Sequence, residues 1–454
     1  MLSILSPDAA TNRRELMRIG GLSLLGLSAG QLESLLAANP AGGRAKSCVF
    51  LFLFGGPSQI DLWDMKPSAP AEIRGEFKPA STSVPGIQIC EHLPRLAEQM
   101  DKICLIRSMT HGMNVHGPAC SEIFTGRDYF GAPTTDQARD LDWPSMSSLL
   151  MRYGRSHNGL PASVVLPWYL QFPGQAKRIA GQTGGRMGER HNALLIEGDS
   201  AEKGFRVDGF GLQETVPIGR LNSRRELLQN LSHPVRQALS GPTNVEQFNR
   251  HRERAYTLLK GRACELLDLD RETVQTRQRY GETMVGQSLL LARRLIEAGV
   301  RFVTIQGYVD TGIYAWDHHW GIFPHLDRQL PIYDNSYAAL LNDLDSRGLL
   351  ETTLVITAGE FGRTPKINAN KRGPGRDHWG RCFSVTLGGG GVQLGRVVGS
   401  SDKYGAAPAE RPVSVPDFVA TVYRALGLNA KAEFVAQGRL MTMLPDGSPV
   451  HELF

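Results

Sequence analysis

Lys46-Ser-Cys-Val-Phe-Leu-Phe-Leu-Phe54 is an unbroken, mostly apolar run that stops at Gly55-Gly56-Pro57. A strand that is apolar at successive positions, not at alternate ones, must be covered on both faces, as strands of a parallel sheet are. The run therefore reads as the first core strand of an α/β protein. Working outward, short apolar runs bounded by turn residues recur at 103–107, 162–166, 301–306, 353–357 and 383–387. Helical apolar spacing separates several of them, over 283–299, ending on Gly299, and over 332–347, stopping before Gly348. This alternation predicts a largely parallel sheet flanked by helices on both faces. Residues 171–279 break the rhythm, first Gly-rich and then strongly charged, and are expected to form a helical and loop insertion or cap within one domain spanning 45–454.

The N-terminus has a different character. Arg13-Arg14 precedes a Gly-rich apolar stretch beginning at Ile19, the layout of a twin-arginine export signal, so residues 1–38 are expected to be mostly removed and the protein to be periplasmic or secreted. Gln31 and Glu33 interrupt the stretch, which leaves too little to span a bilayer, so no stable transmembrane anchor is expected. The expected partner at this stage is the twin-arginine translocase. The 454-residue chain is 41% hydrophobic and 21% charged, with a formal net charge of +5 scattered among acids. No basic block supports nucleic-acid binding, whereas anionic small substrates remain compatible. Six dispersed cysteines without a C-x-x-C pair exclude a disulfide scaffold.

Chemistry-bearing residues follow the strands. Open α/β sheets bind ligands beyond the carboxyl ends of their strands. The 46–54 strand is followed by Gly55-Gly56-Pro57-Ser58-Gln59-Ile60-Asp61, where glycines let backbone approach a ligand and Asp61 can offer a hard oxygen to a metal; Asp61 or Asp64 equally suits a helix cap. His111 and His116 follow the 103–107 strand, and an imidazole there serves as ligand, base or nucleophile. Asp317-His318-His319 follows the 301–306 strand, a half-site for a transition metal, although a surface loop with aromatic anchors has the same composition. After the 353–357 strand come Glu360, Arg363, Arg376 and His378. Glu360 and His378 can complete a carboxylate and imidazole shell while the arginines grip an oxyanion, and a structural ion-pair cluster is the competing reading. Together these loops carry the inventory of a site holding one or two metals.

The motifs Gly-Gly-Pro-Ser-Gln-Ile-Asp (55–61), Trp-Asp-His-His (316–319), Glu-Phe-Gly-Arg-Thr-Pro-Lys-Ile-Asn (360–368) and Gly-Arg-Asp-His-Trp (375–379) resemble the bacterial family called domain of unknown function 1501. That resemblance implies an alkaline phosphatase-like, sulfatase-like core and export through the twin-arginine pathway. In the sulfatase pattern it also implies, a Cys or Ser nucleophile precedes Pro by two residues and Thr-Gly-Arg by nine. Pro118 and Thr125-Gly126-Arg127 match, but the nucleophile position is His116. The implied function is an exported metal-dependent hydrolase of sulfate, phosphate or related anionic esters, small or on a polysaccharide. Asp317, His319 and His378 would hold a divalent metal, with zinc favoured and calcium or manganese open. Glu360 and Asp61 would complete it or bind a second ion, His116 would act as nucleophile or base, and Arg363 or Arg376 would clamp the anion. The alternative is a protein that keeps the fold, binds metal or glycan, and has lost turnover.

Overall fold

The computed structural model describes residues 43–131, 137–154, 156, 160–172, 178–203, 205, 217–238, 263–307 and 316–454. The expected export segment, residues 1–38, lies outside them, as do parts of the expected insertion. No helix among the described residues is long and apolar enough to cross a membrane.

The 46–54 run forms β1 (Ser47–Phe52), buried along its whole length. The principal sheet has nine strands. The others are β2 (Ile103–Thr110), β3 (Ser163–Leu166), β4 (Leu194–Leu195), β5 (Phe302–Gln306), β6 (Thr353–Ala358), β7 (Phe383–Gly389), β8 (Arg396–Val398) and β9 (Val413–Ser414). Their order is β8-β2-β7-β6-β1-β5-β3-β4, with β9 paired to β2. β1 lies at the centre, parallel to β5 through Phe50↔Thr304 and to β6 through Phe50↔Ile356. Only β7 runs antiparallel, to both β2 and β6. Its start therefore lies at the edge where the parallel strands end, and this brings the residues just before it to that edge.

Side chains of β1 alternate between two cores. Phe50 and Phe52 pack with Phe124 of α2 (His116–Thr125), Leu149 of α3 (Met146–Tyr153) and Phe418 of α6 (Val415–Ala425). Val49 and Leu51 belong to the other core, with Leu96 of α1 (Pro94–Glu98), Leu290 of α4 (Met284–Glu297) and Leu340 of α5 (Ile322–Ser346). Burial on both faces explains why the strand shows no polar alternation.

Two elements differ from the sequence reading. Helix α5 begins ten residues earlier than position 332 and contains Pro331. Proline removes one helical donor, but the turns before it bury Ile322, Phe323, Leu326 and Leu330, and that burial outweighs the lost bond. Within the expected insertion, Leu194–Leu195 joins the principal sheet as an edge strand parallel to Ser163–Leu166. Leu267 and Leu269 of that stretch, and Tyr280 just after it, enter the α4–α5 core.

Phe50 is fully buried, with its ring edge-on to Phe52 and Phe124. Phe50→Ala is expected to cost about 3–5 kcal/mol in urea unfolding. A loss below about 1 kcal/mol would contradict the central place given to β1.

Candidate metal centre

Four chain segments meet at the carboxyl edge. His116 is the first residue of α2, just beyond β2. Asp317 and His319 follow β5, and the Asp317 loop is tied to the first strand by Trp316 N–H donating to Phe54 O at 3.0 Å. Glu360 follows β6. His378–Trp379 forms a short ribbon with Gly362–Arg363 immediately ahead of β7. Gly55 takes a positive φ, +108°, and a Cβ there would lie 2.5 Å from Asp317 N. The glycines expected to admit a ligand thus admit the Asp317 backbone and, at Gly56, the Phe361 ring.

At the centre lies the Asp317 carboxylate. Its Oδ1 accepts from Arg363 Nη2 at 2.5 Å and lies 3.1 Å from both His378 Nε2 and His319 Nε2. Its Oδ2 is 3.3 Å from His116 Nε2, a buried atom with no hydrogen-bond partner among the described residues. His319 Nε2 and His378 Nε2 are 2.9 Å apart. Ligand atoms of His116, Asp317 and His378 all lie within 4.8 Å of one another.

Each ring is fixed at its other nitrogen by an oxygen. His116 Nδ1 meets Glu360 Oε1 at 2.5 Å, His319 Nδ1 meets Asp377 Oδ1 at 2.6 Å, and His378 Nδ1 donates to the Asn114 carbonyl at 2.9 Å. Gly55 N–H in turn holds Glu360 Oε1 at 2.9 Å, and His111 reaches the Glu360 carbonyl at 2.8 Å. Metal-binding histidines are oriented in this way, by an acceptor on the nitrogen away from the ion.

The charges are strongly coupled. Burial disfavours the His116 imidazolium, but Asp317 and Glu360 more than offset it and push its pKa up to about 9. Burial would raise the Asp317 pKa, yet the close approach of the His116, His319 and His378 imidazoles, together with the Arg363 charge, holds it far below the usual carboxylate range. His319 is raised, first by Asp317 and also by Asp377. His378 is lowered, by burial first and by the His116 and Arg363 charges.

These donors fit a divalent cation. With His378 Nδ1 donating to a carbonyl, its neutral ring turns an Nε2 lone pair toward Asp317 Oδ1. A neutral His116 donating to Glu360 would do the same toward Oδ2. Acceptor then faces acceptor in a partly buried site, an arrangement that a cation relieves and that, without one, a proton on His116 relieves instead.

Asp61 and Arg376 lie apart from this cluster. Arg376 Nε and Nη2 grip Asp61 at 2.7 and 3.0 Å, and both side chains are fully buried. Asp61 Oδ2 also accepts from Ser58 Oγ at 2.5 Å, while the remaining Arg376 donors go to the carbonyls of Ile73, Thr364 and Pro365. These contacts describe a structural ion pair in place of the expected metal ligand and anion clamp, since the carboxylate has no open direction and each guanidinium nitrogen is engaged. Arg363 does reach the cluster, but as a buried partner of Asp317 and of the Gly55, Gly56 and Arg376 carbonyls. It too has no nitrogen left for a substrate anion. Sequence reasoning offered His111 beside His116 as a candidate imidazole, and the structure sets it on the Glu360 carbonyl; neither Asn114 nor Asp377 was singled out as a working residue. Only Asp377 carried a signal, as a carboxylate adjoining His378 in the Gly-Arg-Asp-His-Trp motif. The Thr125-Gly126-Arg127 match has a structural use, because Gly126 takes the left-handed conformation that ends α2.

The fold and site define an α/β protein with an imidazole and carboxylate centre at the carboxyl edge of its sheet. The chain belongs to the family described as Protein of unknown function (DUF1501), which matches residues 45–454. No curated protein matches the chain. Among solved structures it is similar to the PsFucS1 sulfatase from Pseudoalteromonas sp., at 12% identity over 92% of this chain and 72% of that one, TM-score 0.37. It is similar to the lipoteichoic acid synthase LtaP from Listeria monocytogenes, at 9% identity over 93% and 89%, TM-score 0.38. A third similarity is to the C-terminal periplasmic domain of EcEptC from Escherichia coli in complex with Zn, at 9% identity over 91% and 97%, TM-score 0.36.

Asp61→Ala would strand a buried guanidinium and is expected to destabilise the protein by about 3–5 kcal/mol in denaturant unfolding. After incubation with zinc, the metal it retains should equal that of the parent chain at temperatures where both are folded. Loss of zinc with stability unchanged would make Asp61 a ligand after all.

Proposed function

We propose that the protein is an exported, metal-dependent hydrolase of sulfate, phosphate or related anionic esters. The observation that carries this reading is the convergence of His116, His319 and His378 Nε2 atoms on Asp317, each ring fixed by an oxygen at Nδ1. His116, Asp317 and His378 would hold the ion, with His319 beside them. Imidazole and carboxylate donors suit zinc best, with manganese or calcium as harder alternatives. When bound, a divalent cation supplies positive charge that stabilises a developing oxyanion and acidifies water.

The chain's own residues then have distinct tasks. Glu360 orients His116 and keeps its proton at Nδ1, so His116 serves here as a ligand and not as the nucleophile. Arg363 balances Asp317 and fixes it against the end of β1. His319, raised first by Asp317 and also by Asp377, carries a proton at Nε2, 3.1 Å from Asp317 Oδ1, while the His378 Nε2 lone pair is left for the ion. It is the most exposed of the three rings, and can hand that proton to a departing alkoxide. Export rests on the Arg13-Arg14 segment and its apolar sequel.

A second reading has its own motivating observation. Position 116 carries an imidazole where the resembling enzymes carry a hydroxyl or thiol, which favours a metal-binding protein without turnover.

Metal analysis of the purified chain, joined to a panel of aryl sulfate, aryl phosphate and phosphodiester substrates, separates the readings. The hydrolase reading expects about one zinc per chain and turnover that is lost on chelation. Glu360→Gln should weaken zinc binding by about 10–100-fold, measured by chelator competition, because a neutral amide oxygen holds His116 Nδ1–H more weakly than the carboxylate does and leaves the ring less basic. Stoichiometric metal without turnover favours the binding reading. Absence of metal contradicts both.

A further inference from the structure

Two of the cluster histidines are followed directly by tryptophans, and each tryptophan carries an arginine. Arg372 lies over Trp320, next to His319, with its guanidinium carbon 5.1 Å from the ring centroid. Arg381 lies over Trp379, next to His378, at 5.9 Å. A third pair adjoins them: Trp379 Nε1 donates to Ala406 O at 2.7 Å, which fixes the turn where Lys403 Nζ sits 4.9 Å over Tyr404. The Arg372 loop is pinned to the site as well, because the Asn368 side chain donates to His319 O at 3.2 Å.

All three cations are exposed, and none has a carboxylate within salt-bridge distance among the described residues. Some charged side chains are neutralised, as where buried Arg293 meets Glu272, Glu297 and Asp343, and others stand over rings without an acid, as Arg178 does over Tyr169 and Arg186 over Trp143. What sets these three ring-held cations apart is that they adjoin His319 and His378 of the candidate centre. A ring holds a cation by its quadrupole without neutralising it and restricts its rotamers, so the N–H groups stay available at lower entropic cost. Several unneutralised, ring-held cations beside one centre suit oxyanions carried on an extended ligand. The adjoining partly exposed rings suit the apolar C–H faces of sugars.

We propose that this rim, formed by Trp320 with Arg372, Trp379 with Arg381 and Tyr404 with Lys403, is a binding subsite for a polyanionic glycan whose ester group enters the neighbouring centre. The assignment of the ester to that centre rests on the hydrolase reading; binding of the polymer at the rim does not. A single small ester would leave the three cations without a counter-charge. A glycan bearing several sulfate or phosphate groups engages them together.

The test is equilibrium binding of heparin, as a sulfated glycan, at fixed ionic strength, with neutral dextran and duplex DNA of equal length as the other ligands. Arg372→Gln, Arg381→Gln and Lys403→Gln are combined in one variant, with thermal unfolding as the folding control. The parent chain should bind heparin, ignore dextran and prefer heparin to DNA, and the triple variant should lose about tenfold or more in heparin affinity with its unfolding temperature kept. Unchanged affinity in the variant, equal binding of DNA, or binding of dextran overturns the proposal. If the triple variant does not fold, the single variants are measured instead, and failure of all three to weaken heparin binding is equally decisive. Zinc content and aryl-ester turnover are read on the same preparations. A protein lacking both while still binding heparin through the rim would refute the hydrolase reading alone.

Discussion

One buried cation ties the working edge of this protein together. The Arg363 guanidinium is fully enclosed and bonds at once to Asp317, to the carbonyls of Gly55 and Gly56, and to the carbonyl of Arg376. The loops after β1, β5 and β6 therefore share a single clasp. Buried guanidinium is tolerated only when its donors are met, and here the partners are the very segments that carry the site. Gly55 completes the arrangement from the other side, since its N–H holds Glu360 and its missing side chain lets the Asp317 backbone close in.

The same geometry concentrates negative charge and lone pairs in one place. Asp317, Glu360 and Asp377 face three imidazoles, and the rings are oriented so that neutral forms would turn acceptors toward the Asp317 carboxylate. A proton on His116 is one answer to that crowding, and a divalent cation is the other. Competition between the two links the electrostatics of the bare chain to the chemistry proposed for it.

The parallel core was legible because burial on both faces removes polar alternation, and β1, β5 and β6 follow from apolar runs alone. Helix α5 was only half legible, because Pro331 is a local stop signal and the burial that overrides it is tertiary. In the site, residues beyond strand ends were found by position: His116, Asp317, His319, Glu360 and His378 do meet. The arginines show where that reasoning ends. Arg363 and Arg376 look in sequence like anion clamps, yet each is enclosed by carbonyls and a carboxylate from distant segments, and no local pattern distinguishes a buried guanidinium from an exposed one. Asn114 was equally hidden, because it works through its backbone carbonyl, which every residue has.

Anomalous diffraction at the zinc edge, from crystals of the zinc-loaded chain, tests the central claim most directly. The account predicts one strong peak bonded to Nε2 of His116 and His378 and to a carboxylate oxygen of Asp317, at about 2.0–2.2 Å, with Glu360 still on His116 Nδ1. A peak at Asp61 instead, or none near Asp317, would contradict it.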